Sequence, residues 1–270
     1  MLQKRGLRLL AALACCALLC ACDSLVADGN IEDLLRAPRP SERQNAVQTA
    51  LNAYLGESLQ LKYPRGGGEP DPVIFADLDG DGDEEAAVLY TAPSKGRNVH
   101  LSVLEWAEEG WSVAYEVMGL STEVAEVELA ELFEGSVQLC VGYANANLTD
   151  KYLEIYDYRD VTIYSACRQP YDAYRIAALT GDGLQLAVAC TTTEPGASVL
   201  QIFTPDGRSM AARQTAVLDE RIERCTGIYP TVCGAMYGLV VDGVTTQGAA
   251  AQFFRWQDEA FHPCTDDSEE

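Results

Sequence analysis

Residues 73–89 read Val-Ile-Phe-Ala-Asp-Leu-Asp-Gly-Asp-Gly-Asp-Glu-Glu-Ala-Ala-Val-Leu, and this stretch decides the fold class. Its two ends are short apolar runs typical of β-strands, and its glycine- and acid-rich middle is typical of a tight turn between them. A second turn, Leu179-Thr180-Gly181-Asp182-Gly183, aligns without gaps with Leu78-Asp79-Gly80-Asp81-Gly82. The alignment indicates an internal repeat.

A hairpin pattern recurs along the chain at a spacing of about 50 residues. Val99–Trp106 is followed by the turn Ala107–Gly110 and a further short apolar run, which together are typical of a β-hairpin. The same layout recurs at Tyr152–Tyr158, Val199–Thr204 and Ala249–Trp256. A fixed spacing of this size is typical of a repeat architecture.

Each repeat also contains an upstream hairpin-like segment. These segments are Phe75–Leu89, Leu129–Val141, Ile176–Ala189 and Ile228–Val241. Two hairpins give four strands per repeat, which is the size of a β-propeller blade. The sequence therefore predicts a mainly β domain over residues 72–264, a propeller-like array of about four four-stranded repeats. The pattern leaves open a closed four-bladed ring, an open arc or two stacked sandwiches.

One short N-terminal α-helix is predicted before the repeats, within a helix-and-linker segment over residues 41–71. Ser41 and Gln44 form a capping-box pattern, and Gly56 is placed to end the helix. Apolar residues recur between them at helical spacing: Ala46, Val47, Ala50, Leu51, Tyr54 and Leu55. We expect the helix to pack against the repeat domain, because so short a helix is marginal alone. A free-standing, partner-binding helix is the alternative.

The N-terminus carries basic residues and then an apolar run. Leu9–Leu19 is too short for a permanent membrane span. The following Leu19-Cys20-Ala21-Cys22 resembles the lipobox of bacterial lipoproteins. The resemblance implies a lipoprotein signal peptide over residues 1–21, lipidation of Cys22 and a tether over residues 22–40. An ordinary secretory signal or an uncleaved anchor is the alternative.

This interpretation places the protein on the extracytoplasmic face of a bacterial cell membrane, lipid-anchored. Two acyl chains give stable membrane attachment, where one gives only reversible binding. The formal net charge of −22 argues against a nucleic-acid partner, which requires clustered Lys and Arg. It also argues against a domain that lies flat on anionic lipid. Residues 265–270 form an acidic tail typical of a solvated terminus.

Six cysteines follow Cys22 in the sequence: Cys140, Cys167, Cys190, Cys225, Cys233 and Cys264. An even number in an exported protein is compatible with disulfides. Cys140 and Cys190, however, lie in apolar runs, where cysteine commonly acts as a small buried apolar residue. We expect mostly free, buried thiols, with Cys225 and Cys233 as the pair most suited to a bridge.

The acidic turn within residues 73–89 is the clearest candidate binding site in the sequence. Carboxylates at alternate positions, Asp77, Asp79 and Asp81, can converge on one cation when glycines let the backbone wrap around it. Glu85 can close such a site as a further ligand. An EF-hand is excluded, because the twelfth position is Val88 rather than glutamate.

The turn resembles the DxDxDGxxD/E loop of FG-GAP and VCBS repeats in integrin-type β-propellers. The resemblance implies a structural calcium ion held by Asp77, Asp79, Asp81 and Glu85, with Asp83 offering its backbone carbonyl. The other three repeats keep one acid, two acids at a different spacing, or none. One calcium site is therefore predicted, with a merely solvated acidic turn as the alternative.

Three kinds of function stay open. The first is a surface-exposed, lipid-anchored binding or scaffolding module for a glycan or protein ligand. The second is an extracytoplasmic carbohydrate-active hydrolase that uses paired carboxylates. The third is an accessory or sensory subunit of a membrane complex. The chain has only two histidines and no phosphate-binding glycine motif, so the residues favour a protein that is not an enzyme.

Several tyrosines could form a binding platform in the first of these functions: Tyr143, Tyr152, Tyr156, Tyr158, Tyr164, Tyr171 and Tyr174. The alternative is that they pack between strands, because tyrosine is a favoured strand residue. Packing is the preferred interpretation.

Overall fold

The computed structural model describes residues 40–192, 198–233 and 236–264, without the side chain of Cys233. The predicted signal peptide, Cys22, the tether up to residue 39 and the acidic tail lie outside the described residues. All described strands belong to one compact unit, Gln44–Glu270. In the described part of the chain, no helix has the length and apolar character needed to cross a membrane.

The predicted helix is confirmed as α1, Glu42–Leu55. It ends at Gly56, whose φ of 70° is accessible to glycine and whose N–H donates to the carbonyl of Asn52. Val47 and Leu51 are fully buried against the first sheet, so the helix packs on the repeat domain as expected.

Eighteen strands are found in the described residues. In chain order they are β1 (Gln60–Leu61), β2 (Gly66–Gly67), β3 (Val73–Ala76), β4 (Glu85–Thr91), β5 (His100–Ala107), β6 (Gly110–Met118), β7 (Glu123–Phe133), β8 (Ser136–Ala144), β9 (Lys151–Arg159), β10 (Thr162–Pro170), β11 (Ala173–Ala177), β12 (Gln185–Cys190), β13 (Val199–Asp206), β14 (Ser209–Val217), β15 (Arg224–Cys233), β16 (Met236–Thr245), β17 (Gly248–Gln257) and β18 (Ala260–Pro263).

The strands form four antiparallel sheets, and each is a four-stranded meander in chain order: β3–β6, β7–β10, β11–β14 and β15–β18. Two short strands extend this pattern, since β1 pairs with β4 and β2 pairs in parallel with β7. A four-stranded meander needs only short turns, which the glycine- and acid-rich segments supply. The prediction of a mainly β fold with four four-stranded repeats is confirmed.

Four hydrophobic cores alternate with the sheets. The first lies between α1 and the first sheet, and the second lies between the first and second sheets. The third joins the second and third sheets, and the fourth joins the third and fourth sheets. In β4, Ala87 and Leu89 face the second sheet, whereas Val88 and Tyr90 face α1. Successive residues of β4, β8 and β12 are thus buried on both faces, as alternate residues point in opposite directions.

The array is open at its two ends. The outermost strands of successive sheets adjoin in the order β6, β10, β14 and β18. No comparable contact joins the fourth sheet to the first among the described residues. The face of the first sheet that would receive the fourth is covered by α1. No closed ring is therefore formed by the described part of the chain.

The prediction of mostly free thiols is confirmed, but the expected bridge between Cys225 and Cys233 is wrong. Cys140, Cys167 and Cys225 are free and buried, Cys190 is free and half-buried, and Cys264 is free and exposed. Cys225 and Cys233 lie in the same strand, β15. Eight residues of extended chain separate their Cα atoms by roughly 25 Å. A disulfide requires less than about 7 Å.

The helix contact can be tested by truncating a buried residue. We expect Leu51→Ala to lower the free energy of unfolding by about 2 to 5 kcal/mol, since it leaves a cavity between α1 and the first sheet. Thr49→Ala, on the exposed face of the same helix, should change it by less than about 0.5 kcal/mol. Urea unfolding of the full chain measures both. Equal, small effects would contradict the packing of α1.

Candidate metal-binding turn and ligand cavity

The turn between β3 and β4 is organised by its own carboxylates. Asp77 accepts the N–H groups of Gly80 and Gly82 at 2.8 and 3.1 Å, and Asp79 accepts that of Asp81 at 3.2 Å. Gly80 and Gly82 have φ values of 83° and 99°, which side-chain-bearing residues rarely adopt. The acid–glycine alternation therefore turns the backbone back on itself within a few residues.

The turn brings three of the predicted ligands together. One carboxylate oxygen each from Asp77, Asp79 and Glu85 lies within 4.8 Å of the others, so the three could hold a metal ion. Glu85 is only 4% exposed, and its Oε2 accepts the N–H of Leu78 at 2.8 Å. Asp81 and Asp83 are exposed and lie outside this group of three, and their assignment as ligands stays a prediction.

The three carboxylates are poorly compensated by charge. Burial, and then the neighbouring Asp79, Asp81 and Asp77, raise the pKa of Glu85 to about 7. Burial is also the largest cause that raises the pKa of Asp79. A desolvated group of like charges disfavours ionisation unless a cation is added. Three oxygen donors of this kind fit a hard divalent cation.

The second and third sheets place a neutral residue where the first places Glu85. Glu85 pairs with Ala76 across its hairpin, Gln138 pairs with Ala130, and Gln185 pairs with Ala177. The side-chain oxygen of Gln138 accepts the N–H groups of Leu132 and Phe133, much as Glu85 accepts that of Leu78.

Gln185 belongs to the same pattern in the third sheet, because its Oε1 accepts the hydroxyl hydrogen of Thr180 at 3.1 Å. In three sheets the side-chain oxygen at this position thus accepts a hydrogen bond from the turn. Among these three, only the first sheet has a carboxylate there, and the other two have an amide. The two glutamines are not recognisable from the sequence pattern, because shorter turns place them out of simple alignment with Glu85. The supporting hydrogen bond does not require a charge, so it does not by itself explain a carboxylate at position 85.

The acidic turn also contacts the second sheet. A Cβ atom built on Gly80 would lie only 1.6 Å from the carbonyl oxygen of Gly135, in the β7–β8 turn. Only glycine permits so close an approach of the two backbones. The conformation of the acidic turn is therefore coupled to the seam between the first and second sheets.

The tyrosines mostly pack rather than form a platform. Tyr143, Tyr156, Tyr158 and Tyr171 are at most 5% exposed. Their hydroxyl groups are satisfied inside the protein: Tyr143 and Tyr156 lie 3.0 Å apart, Tyr158 donates to Glu105, and Tyr171 donates to Glu126. Tyr152 and Tyr164 are about 40% exposed and lie in the second sheet. The preferred interpretation of packing is confirmed for the four buried residues.

A cavity of about 410 Å³ lies at the other end of the first sheet, where β4 reaches Thr91. Its lining residues come from the seam between the first and second sheets: Lys62, Thr91, Gly96, Arg97, Thr122, Glu123 and Ala146. Lys62 Nζ lies 2.9 Å from a carboxylate oxygen of Glu123, and Arg65 lies 3.8 Å from the other. Within the described residues Arg97 is exposed and makes no ion pair. The cavity therefore has an uncompensated positive charge in a strongly acidic chain.

The two histidines do not form a common site. His100 is buried in the first sheet, with Nδ1 2.9 Å from Glu116 Oε1. His262 is exposed in β18 of the fourth sheet. His100 pairs with Tyr90, which directly precedes the cavity residue Thr91, whereas the acidic turn lies at the opposite end of β4.

Comparison with known proteins gives little further information. No protein-family model matches the chain, and no curated protein matches it. Among solved structures, the exotype rhamnogalacturonan lyase YesX is similar with a TM-score of 0.29 and 10% sequence identity, over 70% of this chain and 55% of the lyase. The chain thus spans about half the length of that enzyme.

The raised pKa of Glu85 predicts that the stability of the protein depends on pH. Without divalent cations, we expect stability to fall as pH rises from about 5 to about 8. Between the ordinary value of 4.5 and about 7, folded Glu85 keeps a proton that the unfolded chain has lost, so a rise in pH favours unfolding. Glu85→Gln keeps the acceptor for Leu78 and removes the titrating group, so its stability should depend less on pH.

Urea unfolding in a chelating buffer at several pH values measures this difference. Glu108→Gln, an exposed acid in the neighbouring β5–β6 turn, is the matched control and should keep the wild-type pH dependence. Identical pH dependence in the wild type and Glu85→Gln would contradict the raised pKa.

Proposed function

We propose that this chain is a lipid-anchored binding or scaffolding module on the extracytoplasmic face of a bacterial membrane, with one calcium ion fixing the turn between β3 and β4. The observation that carries the proposal is the convergence of Asp77, Asp79 and Glu85 within 4.8 Å. The ion would be structural. Its role would be to neutralise a desolvated carboxylate group and hold the turn against the second sheet.

The donor set favours calcium over other cations. All three side chains offer oxygen, which hard cations prefer, and no histidine or cysteine belongs to the group. Calcium takes six to eight oxygen ligands in a flexible geometry, whereas magnesium requires a near-octahedral arrangement. The exposed carboxylate of Asp81 and the backbone carbonyl of Asp83 lie in the same turn and would complete the ligand set.

The comparison between sheets supports this assignment. Gln138 and Gln185 support their turns without charge. In the first sheet, Glu85 combines the same hydrogen bond with a charge that is costly without a cation. The attraction of a bound divalent ion for each of the three carboxylates would outweigh their mutual repulsion.

Lipid anchoring rests on the resemblance of residues 19–22 to a lipobox. An acidic domain on such a tether would be held at the membrane while its own surface is not attracted to anionic lipid. This arrangement suits a module that presents a binding site away from the membrane.

The cavity at the opposite end of the first sheet is where we place ligand contact. Arg97 supplies a cation that can bind a carboxylate through two parallel hydrogen bonds. Thr91 and Thr122 supply hydroxyl groups that can donate to or accept from a sugar. This lining favours a sugar acid, a small polyhydroxy compound with one carboxylate.

The calcium proposal predicts a stability response. In full-length protein freed of divalent ions, we expect calcium at about one hundred times its dissociation constant to raise the free energy of unfolding by about 2.7 kcal/mol. Asp79→Asn and Glu85→Gln should lose the response, because each removes a charged ligand. Glu85→Gln should also be more stable than the wild type without calcium. Glu108→Gln should respond normally, and an equal response in all four proteins would refute the site.

The ligand proposal predicts a preference for charge. By titration calorimetry, we expect the wild type to bind a sugar acid more tightly than the corresponding neutral sugar. Arg97→Ala should lose that preference, whereas Arg213→Ala, an exposed arginine of the third sheet, should keep it. Binding without preference, or a preference that survives in Arg97→Ala, would contradict the assignment of the cavity.

A further inference from the structure

The outer face of the fourth sheet is apolar and uncovered. Tyr229, Val240 and Phe253 are direct cross-strand neighbours on β15, β16 and β17, so their side chains form one row on the same face. Tyr229 is 53% exposed and Phe253 is 54% exposed. Met236 and Val244 lie on the same face of β16 and are 49% and 37% exposed.

This face differs from every other broad sheet face of the array. In β4 and β12, successive residues are buried, because both faces are covered. In β17 alternate residues are exposed, from Ala249 to Gln257, and in β16 only Leu239 and Val241 reach a core. The first sheet, at the other end of the array, is covered by α1. Terminal units of stacked repeats need a polar outer face or a cover. Among the described residues the fourth sheet has no cover, and the middle of its outer face is the apolar row of Tyr229, Val240 and Phe253.

The face is shaped for contact with a flat surface. The ring of Tyr229 lies over Gly227, since a Cβ atom built there would be 2.5 Å from the tyrosine hydroxyl. Gly238, Ala249 and Ala251 leave the surrounding surface without large side chains. Sheets with such low relief pack face to face at a separation of about 10 Å.

The charges on the face favour a second copy of this chain. The described face carries Arg224, Asp242 and Arg255, a mixture of signs on a chain with 41 acids and 19 basic residues. Most other contacts between two copies would bring net negative surfaces together. A two-fold contact at this face can place arginine of one copy against Asp242 of the other, around the apolar row.

We propose that the outer face of the fourth sheet is an interface through which two copies of this chain pair, sheet against sheet. Four strands of up to ten residues cover roughly 500 Å² per copy, or roughly 1,000 Å² in total. This area is at the lower limit of specific protein interfaces, so the dimer should be reversible. The inference is independent of the acidic turn and of the cavity, which lie in the first two sheets.

Analytical ultracentrifugation of the full-length chain at protein concentrations of roughly 1 to 200 µM tests the proposal. Dissociation constants of small interfaces fall in this range. We expect the wild type to pass from monomer to dimer. Phe253→Glu and Tyr229→Glu should weaken association by at least about tenfold, because each places unpaired charges in the buried row. Trp106→Glu, which alters a 65% exposed aromatic of the first sheet, should associate like the wild type. Near-UV circular dichroism confirms that the variants remain folded.

A photo-crosslinking amino acid at position 253 locates the contact. In the proposed dimer it should couple to the fourth sheet of the second copy, at or beside the row of Tyr229, Val240 and Phe253. A monomer at all concentrations, association that Phe253→Glu leaves unchanged, or crosslinks that map only to other surfaces would each overturn the proposal.

Discussion

The first three sheets of this protein are apolar on both faces, and neither face is stable in water without a neighbour. The constraint appears in β4, where Leu89 packs toward the second sheet and Tyr90 packs toward α1. Burial of apolar surface is the main favourable term in folding, so every sheet is stabilised chiefly by the sheet beside it. The order of the layers then follows the order of the repeats along the chain.

The same constraint makes the two ends of the array special. At one end, α1 supplies two buried apolar side chains, Val47 and Leu51, and completes the first core. At the other end, the fourth sheet has an inner face in a core and an outer face in solvent. A helix at only one end explains why the described repeats form an open array. It also leaves one apolar face available for association.

The acidic turn shows how a repeated position can be changed for a new use. Three sheets place a side-chain oxygen at the start of the second strand of the repeat, where it accepts a hydrogen bond at the turn. Glutamine does this in two sheets without electrostatic cost. Glu85 does it beside Asp77 and Asp79, where desolvation and repulsion raise its pKa. A bound cation would offset this cost of desolvation and repulsion. The contact of Gly80 with Gly135 would then couple the rigid turn to the second sheet.

Much of this arrangement could be predicted from local sequence. Hairpins, turns and the helix depend on residues close together in the chain, and these were read correctly from apolar periodicity, glycine and capping residues. The grouping of Asp77 with Asp79 also depends on one short turn. The predicted bridge between Cys225 and Cys233 is wrong, because both cysteines lie in one extended strand, which holds them apart.

Four four-stranded repeats, one leading helix and one acidic turn follow from the sequence, because each is encoded by neighbouring residues. The open array, the cavity shared by Lys62 and Arg97, and the correspondence of Gln138 and Gln185 to Glu85 are visible only in the folded chain. The row of Tyr229, Val240 and Phe253 is likewise formed only when β15, β16 and β17 pair. These features depend on which strands pair and which faces meet, and such long-range contacts are set by packing rather than by local pattern.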